Sequence, residues 1–191
     1  MTYRFLILLS VFMIGIFFFP SASITATELT ENNLILNTNL DSTKHPAPDF
    51  KLLDTEGKTV QLSDFKNQVI VLTFIKNVDN RKTGTYWMNE NRKWLESLQN
   101  SYKNNIVIFG IKELRGLSKM IPKSLIKSVL SKESFRFLLD WDGNVFDTYD
   151  ISSIFTLIII NSDGIISYSL SEKFTDKKSI ELSNKIDILL D

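Results

Sequence analysis

The stretch FIKNVDNRKTGTYW (74–87) holds the side chains best placed to act together: Asp79, Arg81, Lys82 and Thr83 fall within five positions. A carboxylate beside two cations can serve as a general base with a cationic neighbour. A threonine hydroxyl becomes a nucleophile only when a base activates it, and no histidine lies near it in sequence. The same residues have a plainer use, in which Asp79 or Thr83 caps a following helix and the basic side chains are solvated. Elsewhere, Asp140, Asp142 and Asn144 alternate as in a calcium loop. No glutamate follows at the position where a bidentate ligand is needed, so a solvent-facing turn is expected.

What the chain lacks narrows its chemistry further. It contains no cysteine, so thiolate catalysis, disulfide staples and cysteine metal sites are excluded. His45, the one histidine, stands beside Pro46 and is a poor start for a metal site by itself. Neither a metal nor a cofactor is expected. Lys+Arg and Asp+Glu number 22 each and are interleaved, which gives no basic stripe for nucleic acid or an anionic membrane. With 43% hydrophobic and 23% charged residues, 191 residues suit one domain with a full core.

The elements that must position these side chains begin after an N-terminal preamble. A short positive start, an apolar run over 5–19, then Pro20 and the small residues 21–23 have the layout of a secretory signal peptide. The run is shorter than the roughly 20 residues of a spanning helix. Residues 1–23 therefore read as a signal peptide or, if retained, as a membrane anchor through 5–19, and 24–45 as a linker. Either way the domain at 46–191 is exported, periplasmic or secreted. Within it, 50–53 and 59–62 predict a hairpin around the turn 54–58, and 63–65 a helical turn. The near-continuous apolar runs 69–75, 106–111 and 156–160 predict buried strands. Helical spacing of Trp87, Trp94, Leu95, Leu98 and Tyr102 predicts a helix over 86–103. Pro122 is suited to open another, with an apolar stripe of Leu125, Ile126, Val129 and Leu130. Residues 135–139 predict a strand and 145–149 a short helix. The turn 161–164 predicts a hairpin to 165–169, and 179–190 a last helix with Leu182, Ile186, Leu189 and Leu190 on one face. This order argues for an α/β fold, a mixed central sheet with helices on both faces and an N-terminal β-hairpin extension.

APDFKLLDTEGKTVQLSDFKNQVIVLTF (47–74) and FRFLLDWDGNVFDTYDISSIFTLIIINSDGIISY (135–168) carry a resemblance beyond this plan. The first resembles the opening of the redoxin group, with APDF, a G-K-x-V-x-L-S-D-F/L hairpin and a strand ending in Phe. The second resembles that group's D-x-x-G-x-v-a-x-x-Y-x-v and T-x-x-x-I-D-x-x-G-x-I. The group includes the alkyl hydroperoxide reductase/thiol-specific antioxidant (AhpC/TSA) proteins and periplasmic thiol–disulfide oxidoreductases, and it implies a thioredoxin-like fold.

The resemblance also implies a redox site, which this chain departs from. Aligned on the thioredoxin-type strand, Asp79 and Lys82 fall where the two cysteines of a C-x-x-C stand; aligned on the peroxiredoxin pattern, the reactive position falls near Thr83. Phe155 stands where the family carries a cis-proline, and a trans peptide is expected there. No catalytic residue is therefore assigned. An aspartate cannot form a mixed disulfide, and a threonine hydroxyl lacks the acidity and nucleophilicity of a thiol. The reading that follows is a non-catalytic binding or accessory module of the cell envelope, with a protein or peptide partner of unknown identity. The alternative is an oxidoreductase or peroxiredoxin-type antioxidant in the family sense. Trp87, Trp94 and Trp141 are expected in the core or at its edge, or lining a groove for that partner.

Overall fold

Two adjacent six-residue strands in which every side chain is buried, Ile70–Ile75 and Phe155–Ile160, form the centre of the protein. Their β-branched and aromatic content fits a strand covered on both faces. The computed structural model describes residues 45–117 and 121–191. The N-terminal segment 1–23, with its apolar run 5–19, and all of the linker but His45 lie outside the described residues.

The strands are β1 (Lys51–Asp54), β2 (Thr59–Gln61), β3 (Ile70–Ile75), β4 (Val107–Glu113), β5 (Phe137–Asp140), β6 (Phe155–Ile160) and β7 (Ile166–Leu170). They form one sheet in the order β2-β1-β5-β4-β3-β6-β7. β3, β4 and β5 run parallel to their neighbours in that set, and the β3–β6, β6–β7, β1–β2 and β1–β5 pairs are antiparallel. Outside the sheet, Pro46 bridges to Ile165. There His45 O accepts from Ile166 N at 3.0 Å and Ala47 N donates to Gly164 O at 2.9 Å. The helices are α1 (Arg81–Tyr102), α2 (Lys123–Leu130), α3 (Asn144–Thr148) and α4 (Asp176–Leu190).

Alternation along the strands builds a core on each face of the sheet. On one face Val71, Ile75, Phe155, Leu157 and Ile159 meet Trp94, Leu98 and Tyr102 of α1 and Leu182 and Ile186 of α4. The Tyr102 hydroxyl fastens the two helices by donating to Ser183 O at 2.9 Å. On the other face Leu72, Phe74, Phe109 and Ile158 meet Phe50, Leu62 and Phe146. The mixed sheet, its two covered faces and its N-terminal hairpin are as the sequence implies.

Several local expectations change. α1 begins at Arg81, five residues before the expected start, because the Asn80 side chain accepts from Thr83 N at 3.1 Å and closes the first turn. Neither Asp79 nor Thr83 is the cap. In α2, Pro122 is the cap residue just before the first helical position. Only Leu130 of its stripe is buried; Leu125 and Val129 are 55% and 56% exposed. α4 starts at Asp176 behind a Thr175 cap, and its Leu190 is exposed. The expected solvent-facing turn at Asp140 is wrong in its main residue. Asp140 ends β5 fully buried, and its carboxylate accepts from the N–H groups of Gly143, Val145 and Phe146 at 3.0–3.1 Å. It is therefore the anchor from which α3 starts. Burial, with the neighbouring Asp142 carboxylate, raises its pKa above the usual carboxylate range.

Gly110 of β4 is fixed by close approach. A Cβ there would lie 2.6 Å from the ring of Phe137, which is itself buried at the start of the neighbouring strand. Replacing it, Gly110→Ala, forces the ring or the strand aside, and a loss of about 1–3 kcal/mol is expected. Urea unfolding monitored by tryptophan fluorescence checks this; an unchanged midpoint contradicts the close packing.

Candidate functional site

β3 ends opposite the start of β6, with Ile75 paired to Phe155, and beside β4, with Ile75 paired to Lys112. The chain that leaves β3 for α1 must therefore cross the carboxyl ends of the parallel strands. In α/β sheets that is the side where sites are commonly built. Three bonds hold this β3–α1 loop. Lys76 N donates to Ile154 O at 2.8 Å, the Lys112 ammonium donates to Lys76 O at 3.1 Å, and Asn77 N donates to Glu113 Oε2 at 3.1 Å.

The last two residues of β4 thus grip two successive loop residues. Glu113, buried, is in turn paired to Arg115 at 3.3 Å, and Arg115 donates to Gly143 O and Asp147 Oδ1 at 2.8 and 2.7 Å. The carboxyl ends of β3, β4 and β5 are joined through this chain of contacts. Burial pushes the Lys112 ammonium down to about 8, against the opposing pull of the Glu113 carboxylate.

Beyond the grip the loop emerges into solvent. Asp79, Arg81 and Lys82 are exposed, and Thr83 is half-buried with its N–H on the Asn80 cap. Among the described residues, no side-chain hydrogen bond or ion pair joins Asp79, Arg81 or Lys82 to another group. The general-base arrangement is therefore not assembled. Phe155 is buried, and the described residues contain no cis peptide. Trp87 stacks on it with ring centroids 5.9 Å apart and planes at 12°, and Tyr86 meets Trp87 edge-on at 5.4 Å. The fold therefore gathers Asp79, Lys82, Thr83 and Phe155 at one end of the sheet. His45 is bonded at the start of β7, beside the opposite end of β3.

Trp94 is a core residue, while Trp87 and Trp141 are half-buried at its edges. Among the described residues, no group of three His, Cys, Asp or Glu could hold a metal ion. No described helix is long and apolar enough to cross a membrane. A cleft of about 360 Å³ lined by Asp49, Leu62, Phe65, Lys66, Ile160 and Asp163 lies at the far end of β3 and β6, away from the loop. Sequence reasoning missed Asn80, Lys112, Glu113 and Arg115. The signal available was an adjacent Lys-Glu pair at the carboxyl end of a predicted parallel strand, where buried charge is costly and so is recruited to a bond.

Comparison with known proteins places this geometry. The model of the AhpC/TSA family matches residues 43–169. The thiol-disulfide oxidoreductase ResA of Bacillus subtilis is 30% identical over 146 residues, 73% of each chain. A putative thiol:disulfide interchange protein DsbE from Chlorobium tepidum shares the fold at a TM-score of 0.59 and 20% identity, over 78% of this chain and 97% of that one. An exposed lipoprotein thioredoxin of Streptococcus pneumoniae does so at 0.55 and 21%, over 73% and 99%.

The Lys112 grip gives a pH signature. An unfolded lysine titrates near 10.4, whereas the native amine titrates at about 8. Below pH 8 both states are protonated and the burial penalty is full. Between about pH 8 and pH 10 the unfolded chain binds more protons, so stability rises with pH and the penalty fades. Against Lys112→Met, which has no such proton, the wild type should gain roughly 1–3 kcal/mol across that window in urea unfolding. Parallel curves for the two proteins would show that Lys112 is not held in a desolvated position.

Proposed function

The chain belongs to the AhpC/TSA family, and from that premise we propose that it is an exported member that binds a protein or peptide instead of exchanging disulfides. The observation that carries the reading is the sequence of the β3–α1 loop. The positions that correspond to a C-x-x-C, Asp79 and Lys82, hold an exposed carboxylate and an exposed ammonium, and the 191 residues contain no sulfur nucleophile. A helix N-terminus favours a thiolate by stabilising negative charge. Here the start of α1 offers that environment to no thiol. Trp87, stacked on the buried Phe155 that stands in place of the proline, and the exposed Tyr86 beside it give the same end of the sheet an aromatic edge.

Export rests on the positive start, the apolar run 5–19 and the small residues that follow. The exposed lipoprotein thioredoxin among the structural relatives supports it by analogy. Oxidoreductase activity in the family sense is the second reading, favoured by the identity to ResA. It requires a thiol supplied from outside the chain.

Insulin-disulfide reduction and hydrogen peroxide consumption, each with dithiothreitol as reductant, separate the two readings. The purified chain should match the blank in both; turnover overturns the binding reading. Replacing both positions, Asp79→Cys with Lys82→Cys, should create a titratable disulfide and insulin reduction on the order of tenfold above the blank. Failure of the pair to form a disulfide would place the family's redox positions elsewhere in the loop.

A further inference from the structure

Over residues 76–83 the loop and first turn carry Lys76, Arg81 and Lys82 against Asp79 alone. None of the four side chains has an ion-pair partner among the described residues, in contrast to Arg92, Arg115 and Arg136, which are each paired to a carboxylate. The nearby Glu113 does not offset this surplus, because it is buried on Arg115 and Asn77 N. Beside the cations, the tier of Tyr86, Trp87 and Phe155 gives an aromatic floor, with Tyr86 46% exposed. The Trp87 indole N–H donates to no described acceptor. The groups left open at this end of the sheet are thus three cations and the Trp87 N–H around aromatic rings, with the Asp79 carboxylate as the one opposing charge of the stretch, while the Asn80 carboxamide oxygen is already used by Thr83 N.

We propose that the partner segment is acidic: an extended peptide whose carboxylates meet Lys76, Arg81 and Lys82 and whose apolar side chain rests on Tyr86 and Trp87. The inference rests on the reading of this loop as a binding face and names the chemistry of what it binds. Complementary charge sets which partner is accepted, and buried aromatic contact supplies most of the affinity. An anion is also matched to the start of α1, whose dipole has the same sign as the cations around it. A basic segment would face three unpaired cations and is rejected by the same field.

The test uses the full chain and a fluorescein-labelled peptide of alternating glutamate and phenylalanine, with versions carrying glutamine or lysine in place of glutamate. Fluorescence anisotropy should show binding of the acidic peptide alone, weakening as salt is raised. The double variant Arg81→Glu with Lys82→Glu should weaken it by roughly tenfold or more. Glutamate is favoured in the first turn of a helix, so this variant is expected to fold and to keep its thermal midpoint. Reversing two exposed lysines elsewhere, Lys51→Glu with Lys177→Glu, changes net charge equally and should leave binding intact. Absent binding, preference for the glutamine or lysine peptide, or equal loss in both double variants overturns the inference. If the chain shows no redox turnover and retains a partner through the loop while the acidic peptide neither binds nor competes, the charge assignment fails and the binding reading stands.

Discussion

The pairing of Ile75 with Phe155 across the centre of the sheet is the constraint on which the rest depends. It sets the last buried residue of β3 against the first of β6, so the chain leaving β3 and the chain arriving at β6 must share one small region. Lys76 N bonded to Ile154 O is the direct result. With that register, α1 returns over the face carrying Val71, Ile75 and Phe155. Trp87 then lies on Phe155, and Trp94 and Leu98 follow down the same core. A slip of one residue would turn the apolar set of β6 to the opposite face and remove the aromatic floor beneath the loop.

The loop itself shows how a backbone frame can be held independently of the side chains it displays to solvent. Its backbone is held by Lys112 and Glu113 of β4, by Ile154 just before β6 and by the Asn80 cap, not by the side chains of Asp79, Arg81 and Lys82 that face solvent. Substitution at Asp79, Arg81 or Lys82 disturbs no hydrogen bond of the frame, whereas a change at Asn80 removes the side-chain oxygen that accepts from Thr83 N. The frame demands a cap at Asn80 and a donor and an acceptor at Lys112 and Glu113. It demands nothing of Asp79 or Lys82, and this freedom is the physical basis on which a thioredoxin-like scaffold can carry another surface.

How much of this was legible in the sequence depends on the kind of signal. Burial on both faces writes itself as an unbroken apolar run, so β3 and β6 were plain, and the stripe from Trp87 to Tyr102 gave α1. The first turn of α1 was not legible by periodicity because residues 81–85, Arg-Lys-Thr-Gly-Thr, have no apolar face. Asp140 sits in Asp-Trp-Asp-Gly-Asn, a sequence with every mark of an exposed turn. That its carboxylate faces inward is decided by the three N–H groups α3 must satisfy at its start. Leu125 and Val129 have the spacing of a core stripe, yet α2 turns them outward, and spacing alone cannot tell which face meets a neighbour. The Lys112 and Glu113 bonds were hidden for a different reason: they join residues about 36 positions apart in sequence, and no local pattern records them.

Pro46 has a bearing on how copies of this domain meet one another. Sheet edges are sites of unwanted growth, because their outward N–H and carbonyl groups invite another strand. At β7 the groups of Gly164 and Ile166 are already taken by Ala47 and His45, and the residue between these two has no N–H to offer. A neighbouring chain approaching that edge finds its first rung occupied, with a proline ring beside it. The short segment that brings the polypeptide into the domain therefore also covers the start of β7 and shortens the edge left open to another strand.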